Sequence, residues 1–383
     1  MNLVPERRRE ATIGRKLWQI NWTFALLVSL IAGIGFAMLY SAAGGQLEPW
    51  SSRQMMRFGA GFAAMIVFAI IDIRIWLRYA YVIYFASLVL LAAVEATGSV
   101  GMGAQRWLNF GFINVQPSEI VKITLILALA RYFYASRVED VERMTHLFVP
   151  AAMLALPVVL VLRQPDLGTA ILILGTGITI FFLAGVRAWI FVAAGLAAIS
   201  AIVPVWKFVL LDYQKRRLLT YLNPEGDPLG AGYHLMQSKI ALGSGGLFGK
   251  GFLSGTQSHL SFLPEKHTDF IFTMLAEEFG MAGGLGLVGL YLMVLIYGFF
   301  IAQRSRNHFG RLVGMGVVAA FFYNVFVNIA MVMGLLPVVG MPLPLVSYGG
   351  TAMVTLLFGF GLLLCVFVHR DVTISPGTAD GNY

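Results

Sequence analysis

Ten apolar runs, each about 20 residues long, alternate with polar connections along the chain, at 20–42, 54–71, 76–96, 119–135, 146–162, 168–185, 189–210, 272–300, 312–333 and 350–368. A helix of that length crosses a hydrocarbon core of about 30 Å. The pattern therefore predicts an all-α integral membrane protein with ten transmembrane helices. An even number of crossings returns both ends to one side. One connection breaks the rhythm: residues 211–271 form a large loop between helices seven and eight. The expected organisation is an N-terminal segment 1–19, a membrane domain 20–368 and a polar tail 369–383. No repeat with a period between 20 and 50 residues is visible.

Composition agrees with the pattern. Hydrophobic residues make up 58% of the chain and charged residues 12%, with a mean hydropathy of +0.78. Soluble domains carry roughly 25% charged residues, so a soluble class is excluded. The single cysteine, Cys365, lies inside the last apolar run and has no partner for an internal disulfide. No small-residue cleavage site follows the first apolar run, which reads as a retained span rather than a signal peptide. The net charge of +8 fits topology-setting loop cations. Arg7–Arg9, Arg15, Lys16, Arg137, Arg143, Arg304, Arg306 and Arg311 crowd the N-terminal side, against Arg53, Arg57, Arg106 and Arg163 opposite. The positive-inside rule then places both termini in the cytoplasm and loop 211–271 outside.

That loop opens with Asp212-Tyr213-Gln214-Lys215-Arg216-Arg217-Leu218-Leu219, which reads as a short amphipathic helix at the interface, with its basic side chains solvated. Turn chemistry follows in Asn223–Pro228, and then a Gly/Ser-rich segment from Gly243 to Gly251. The latter lacks Walker spacing and a preceding parallel strand, so it is not read as a nucleotide site. The loop closes on Leu263-Pro264-Glu265-Lys266-His267-Thr268-Asp269-Phe270-Ile271-Phe272, which leads directly into an apolar run.

Ionisable groups near membrane spans are costly and each needs a reason. Glu119 and Lys122 share a helix face at i, i+3 spacing. They read either as a helix-start ion pair behind an N-cap at Ser118, or as part of an anion site with Arg106. Asp166 either caps the sixth span or serves a site. Thr268 and Asp269 would cap the eighth span, while an acid placed there also suits catalysis. As one straight helix, Phe270 to Phe300 is about 46 Å long, so Asp269 would stand roughly 15 Å above the hydrocarbon, with Glu277 and Glu278 near the interface. That height suits a lipid-linked headgroup rather than an ion pathway at the midplane. Pro337, Pro342 and Pro344, with Gly340, Gly349 and Gly350, predict a non-helical outer loop that turns the chain and walls a groove beneath Asp269. His259 and His267 have no metal-motif spacing, and no Gly-x-Ser-x-Gly elbow occurs.

Asn328 followed by Gly334-Leu335-Leu336-Pro337-Val338-Val339-Gly340-Met341-Pro342-Leu343-Pro344-Leu345-Val346-Ser347-Tyr348-Gly349-Gly350-Thr351-Ala352 resembles the signature of the SEDS family (shape, elongation, division, sporulation). Arg106-Trp107 with Gln116–Lys122, Gln164–Thr169 and Leu263–Phe272 agree with it, in order and across essentially the whole chain. The short N-terminal segment favours the rod-elongation branch. The resemblance implies a peptidoglycan glycosyltransferase that polymerises lipid II at the outer face of the bacterial cytoplasmic (inner) membrane. It implies a class B penicillin-binding protein, the elongation transpeptidase, as partner, with other elongation-complex proteins and no nucleic acid. It also implies a divalent cation, Mg or Mn, with ligands unspecified and no organic cofactor. Asp269 would be the catalytic acid, with Trp107, Glu119, Lys122 and Asp166 in support. Arg106, Lys266, His267 and Ser347, from the same motifs, join as substrate-binding or supporting candidates.

The reaction so implied joins C1 of a donor MurNAc, carrying undecaprenyl diphosphate, to the 4-hydroxyl of an acceptor lipid II. Conversion of an α donor linkage into a β-1,4 product needs one inverting displacement. It requires a base, for which Asp269 is the choice, and a cation for the leaving diphosphate, for which Lys122 and Arg106 are candidates. A lipid II flippase or a non-catalytic scaffold would share the architecture. A flippase requires essential charges and broken helices at the midplane, whereas the candidates here cluster at the outer face, and a scaffold tolerates loss of Asp269.

Overall fold

The computed structural model describes residues 13–101, 104–109, 111, 114–209, 212–223, 231–256 and 266–373. A short α1 (Ile13–Gln19) precedes α2 (Trp22–Ala42), α3 (Ser51–Ile70) and α4 (Ile73–Thr97). Then come α5 (Pro117–Ala135), a single turn α6 (Val138–Val141), α7 (Met144–Arg163), α8 (Leu167–Leu183) and α9 (Ala188–Pro204). Helices α10 (Asp212–Leu222) and α11 (Ala231–Ser244) lie in the large loop, followed by α12 (Ile271–Gln303), α13 (His308–Val332) and α14 (Gly350–Val368). Each predicted apolar run coincides with a helix. Seven helices among the described residues are long and apolar enough to cross a membrane. Helix α8 is apolar but shorter, α3 carries Arg53 and Arg57, and α5 carries Glu119, Lys122 and Arg131.

Helix α5 is the hub. Almost every residue from Pro117 to Ala130 is buried, as expected of a helix enclosed on all sides. Helices α3 and α14 pack closely because a glycine on each admits the other: a Cβ on Gly361 would lie 3.0 Å from the Met65 carbonyl, and one on Gly61 2.7 Å from the Leu357 side chain. Helix α9 is the opposite case, with none of its membrane window buried inside the protein. Its apolar surface suits lipid.

Three elements depart from the sequence reading. The connection before α5 is not purely irregular: β1 (Ser99–Gly101), β2 (Ala104–Asn109) and β3 (Asn114–Val115) form a small antiparallel sheet in the order β1-β2-β3. The expected all-α class thus gains a hairpin-like sheet, whose strands are too short to show a period in the sequence. Within the large loop, α10 forms as predicted, whereas α11 was not anticipated.

The third departure is the largest. Helix α12 is broken at Gly280, with φ 67° and ψ −164°. The two halves fold back on each other: the Phe272 ring lies 3.6 Å from where a Cβ of Gly284 would be, although a straight helix separates those residues by about 18 Å. The straight-rod height for Asp269 is therefore withdrawn. Glu277 and Glu278, expected near the interface, are fully buried at the break.

The break is filled by the Gly/Ser-rich segment. Lys250 N–H donates to the Glu277 carbonyl and Gly251 N–H to that of Glu278, both at 3.0 Å. In return, Met281 N–H donates to Gly246 O at 2.9 Å and Ala282 N–H to Leu247 O at 3.0 Å. These bonds replace those a helix loses at a kink. Such closeness demands glycine: a Cβ on Gly249, whose φ is +82°, would sit 2.1 Å from the Glu278 carbonyl. Gly243, just upstream, meets nothing within 4 Å. Gly249→Ala is expected to cost about 1–3 kcal/mol and Gly243→Ala almost nothing, as read by thermal unfolding in detergent.

Candidate active site

Asp269 lies in the turn Lys266–Phe270, just ahead of α12. The N-cap of α12 is Phe270, which makes no side-chain cap bond, so Thr268 and Asp269 do not occupy the capping position considered from the sequence. What holds the turn is the outer loop between α13 and α14. Tyr348 N–H donates to the His267 carbonyl at 2.9 Å. The Ser347 hydroxyl donates to Thr268 O at 2.6 Å while accepting from Leu343 N–H at 2.7 Å. Asn328, fully buried in α13, donates from Nδ2 to the Asp269 carbonyl at 3.0 Å and also to Met341 O. The Asp269 carboxylate lies over Gly340: Oδ2 is 3.5 Å from the position a Cβ would take there. A side chain at Gly340, whose φ is +74°, would be strained and would press against that carboxylate.

The loop is in turn fixed from several directions. Gln54 of α3 donates to Ser347 O at 2.9 Å, and Tyr291 of α12 donates to Pro344 O at 2.6 Å. Gly35 of α2 admits it closely, since a Cβ there would meet Leu345 O at 2.7 Å. The His267 ring stacks on Trp50, with centroids 4.4 Å apart and planes 10° from parallel. Beside them the Arg57 guanidinium covers the Tyr348 ring at 4.8 Å. Burial lowers the Lys266 ammonium pKa from the ordinary lysine value.

A cavity of about 630 Å³, counting its open mouth, runs alongside and is lined by Glu119, Lys122, Asn324 and Ser347 among others. Ser347 thus faces both the cavity and the turn bearing Asp269. Lys122 and Glu119 form the i, i+3 pair expected, at 2.9 Å and nearly solvent-free. The cap assignment is corrected: Gln116 is the N-cap of α5, without a side-chain bond, Pro117 follows it, and Ser118 is buried inside the helix.

Asp166 takes the capping role considered for it. It caps α8 by accepting from Thr169 N–H at 3.1 Å. It also accepts from Thr169 Oγ1 at 2.9 Å and Gln116 Nε2 at 3.3 Å, and faces Arg106 at 3.9 Å. Arg106 donates further to the carbonyls of Gln164 and Pro165. Trp107 follows on β2, where consecutive residues face opposite sides, and is paired in register with Ser99.

The structure therefore joins Asp269, Lys266, His267 and Ser347 in one unit, and Arg106 with Asp166 in another. It does not unite Lys122 and Arg106 into one anion site, because each cation has its own carboxylate and Arg106 is absent from the wall of the Lys122 cavity. Among the described residues, no three His, Cys, Asp or Glu side chains gather into a metal-holding group. Sequence reasoning missed Gln54 and Trp50, and quoted Asn328 without a role. Asn328 carried a signal, as an amide within an apolar helix one turn after Asn324, where polar groups are retained for a reason; Gln54 was masked by the polar start of α3.

Comparison with known proteins reaches the whole membrane region. A family model for FtsW, RodA and SpoVE, described as cell cycle proteins, matches residues 21–372. The peptidoglycan glycosyltransferase MrdB of Escherichia coli (strain K12) is 44% identical over 348 residues, covering 91% of this chain and 93% of its own. A chain from a peptidoglycan synthase complex, solved for its coordination of polymerization and crosslinking, has a TM-score of 0.79 at 33% identity, over 92% of this chain and 98% of that one. The rod shape determining protein RodA of Thermus thermophilus has a TM-score of 0.69 at 30% identity, over 92% and 98% respectively.

The buried Glu119–Lys122 pair makes a prediction independent of activity. Lys122→Met alone strands a carboxylate and should cost about 3–5 kcal/mol. Adding Glu119→Gln should recover most of that loss in thermal unfolding.

Proposed function

The chain belongs to the FtsW/RodA/SpoVE family of cell cycle proteins, and from that membership and the geometry around Asp269 we infer that it is a peptidoglycan glycosyltransferase serving rod-shaped growth. It polymerises lipid II, and Asp269 is the base. The carrying observation is the fixing of one carboxylate: the Asp269 backbone is held by Asn328, its neighbours by Ser347 and Tyr348, and its side chain lies over a glycine. Such pre-organisation is what a positioned base needs.

In the proposed step the acceptor's 4-hydroxyl oxygen attacks C1 of the donor MurNAc from the face opposite the diphosphate. The hydroxyl proton passes to the Asp269 carboxylate, the C1–oxygen bond to the diphosphate breaks with its electron pair, and undecaprenyl diphosphate leaves. The anomeric configuration inverts once. Lys122 is assigned to the diphosphate, because its cavity shares Ser347 with the Asp269 turn. Arg106, engaged by Asp166 and two carbonyls, is assigned to bracing the loop before α8. This refines the paired role expected of the two cations. Magnesium-type ions use few protein ligands and many substrate oxygens, so a divalent cation would be brought chiefly by the diphosphate.

The proposed topology is ten crossings of the bacterial inner membrane, with both termini cytoplasmic and Asp269 on the outer face. Helices at all ten predicted positions and the cationic N-terminal-side loops support it. A class B penicillin-binding protein is the proposed partner, supported by similarity to a chain from a synthase complex that couples polymerization to crosslinking. Purified protein, with and without that partner, should extend glycan strands from lipid II. Asp269→Asn should slow this by about 10²–10⁴-fold while remaining folded. A folded Asp269→Asn protein that polymerises at the wild-type rate would overturn the base assignment.

A further inference from the structure

We infer that Lys250 is a positioning residue for Asp269, acting through Glu277 and the first half of α12; this rests on the reading of Asp269 as base. The break at Gly280 divides α12 into two bodies. The first body starts two residues after Asp269, at Ile271, and ends at the break. The second continues through the membrane region and holds the outer loop through Tyr291 and the Pro344 carbonyl. That loop grips the Asp269 turn from its other side, through Ser347 and Tyr348. The carboxylate is therefore set by the angle between two bodies, and a two-sided hold needs a fixed angle at the joint.

Backbone bonds alone do not fix that angle, because a glycine at a positive φ is a soft point. Side chains at the joint supply the rest. Lys250 Nζ lies 2.8 Å from Glu277 Oε1 and 2.8 Å from Thr256 Oγ1, and Thr256 Oγ1 is 3.3 Å from the same Glu277 oxygen. Glu277 is solvent-free and Lys250 only a quarter exposed, so the contact is poorly screened. Next to it, Glu278 accepts from the Ser41 hydroxyl at 2.5 Å, tying the first body to α2. The adjacent acids thus anchor the end of the Asp269-bearing body to two separate supports. Only one of these supports lies on the loop that fills the break, and Lys250 is its side chain. Lys250 touches neither the cavity nor the Asp269 turn in any contact described, so its effect on turnover must pass through the joint.

The test compares wild type with Lys250→Gln, Lys250→Arg and the double variant Lys250→Gln/Glu277→Gln. The double variant leaves no buried charge unpaired and so guards against simple misfolding. Polymerisation kinetics on lipid II are measured together with backbone amide exchange over residues 266–275. Loss of the pair, in the single or the double variant, should lower kcat by about tenfold to a hundredfold, leave KM within about twofold and speed exchange at 266–275 by about tenfold. Lys250→Arg should restore both. Wild-type kcat with wild-type exchange overturns the proposal, as does a fall in kcat without faster exchange, or a defect that arginine does not rescue. The exchange measurement needs no turnover. If wild-type protein does not polymerise lipid II, the glycosyltransferase reading fails, and exchange alone decides the positional role of Lys250.

Discussion

Backbone that leaves helical geometry in an apolar surround has no water to satisfy it, and must find its lost hydrogen bonds elsewhere in the chain. The break at Gly280 is the place where this constraint shapes the protein. Two carbonyls and two N–H groups released there are all answered by residues 246–251, a stretch whose sequence is Gly-rich and lacks the spacing of a nucleotide site. Its glycines exist for approach rather than mobility, since side chains at Gly245 or Gly249 would overlap backbone at 2.1 Å. With the break closed, the first part of α12 can run against the second and present Asp269 to the loop before α14.

Three interior carboxylates meet a cation, while Glu278 accepts from the Ser41 hydroxyl. Glu119 meets Lys122, Asp166 meets Arg106 and Glu277 meets Lys250. A cation or carboxylate alone at such depth would be expensive, and pairing makes each tolerable. Pairing also divides the labour. Lys122 faces a cavity, Arg106 is saturated by a carboxylate and two carbonyls, and Lys250 works at a joint.

The helices were legible because an apolar run of about 20 residues has few alternatives, and the four motif stretches pointed to Asp269, Glu119, Lys122 and Asp166 in advance. Gly280 was not legible. It is one of 42 glycines; the adjacent Glu277 and Glu278 interrupt the apolar run just before it, and read as interfacial acids on a straight helix rather than as the mark of a break. The partners of Arg106 were hidden for a different reason: Asp166 and the Gln164 carbonyl are about 60 positions away, and only the fold brings them near. The capping roles given to Ser118 and Asp269 failed by one or two residues, the usual uncertainty of a helix start. Pro117 takes the first position of α5, and Phe270 precedes α12.

The staples on the Asp269 turn also carry an order in time. A chain made from its N-terminus completes α2, α3 and the Lys250 loop long before residues 347 and 348 exist. The bond from Ser41 to Glu278 spans 237 residues, and that from Ser347 to Thr268 spans 79. Until the last helix is about to enter the bilayer, the segment around Asp269 lacks its outer grip. A ribosome-bound or truncated chain ending before Leu343 therefore has its carboxylate but no outer loop to hold it. The fixed placement of that carboxylate is thus a property of the finished molecule.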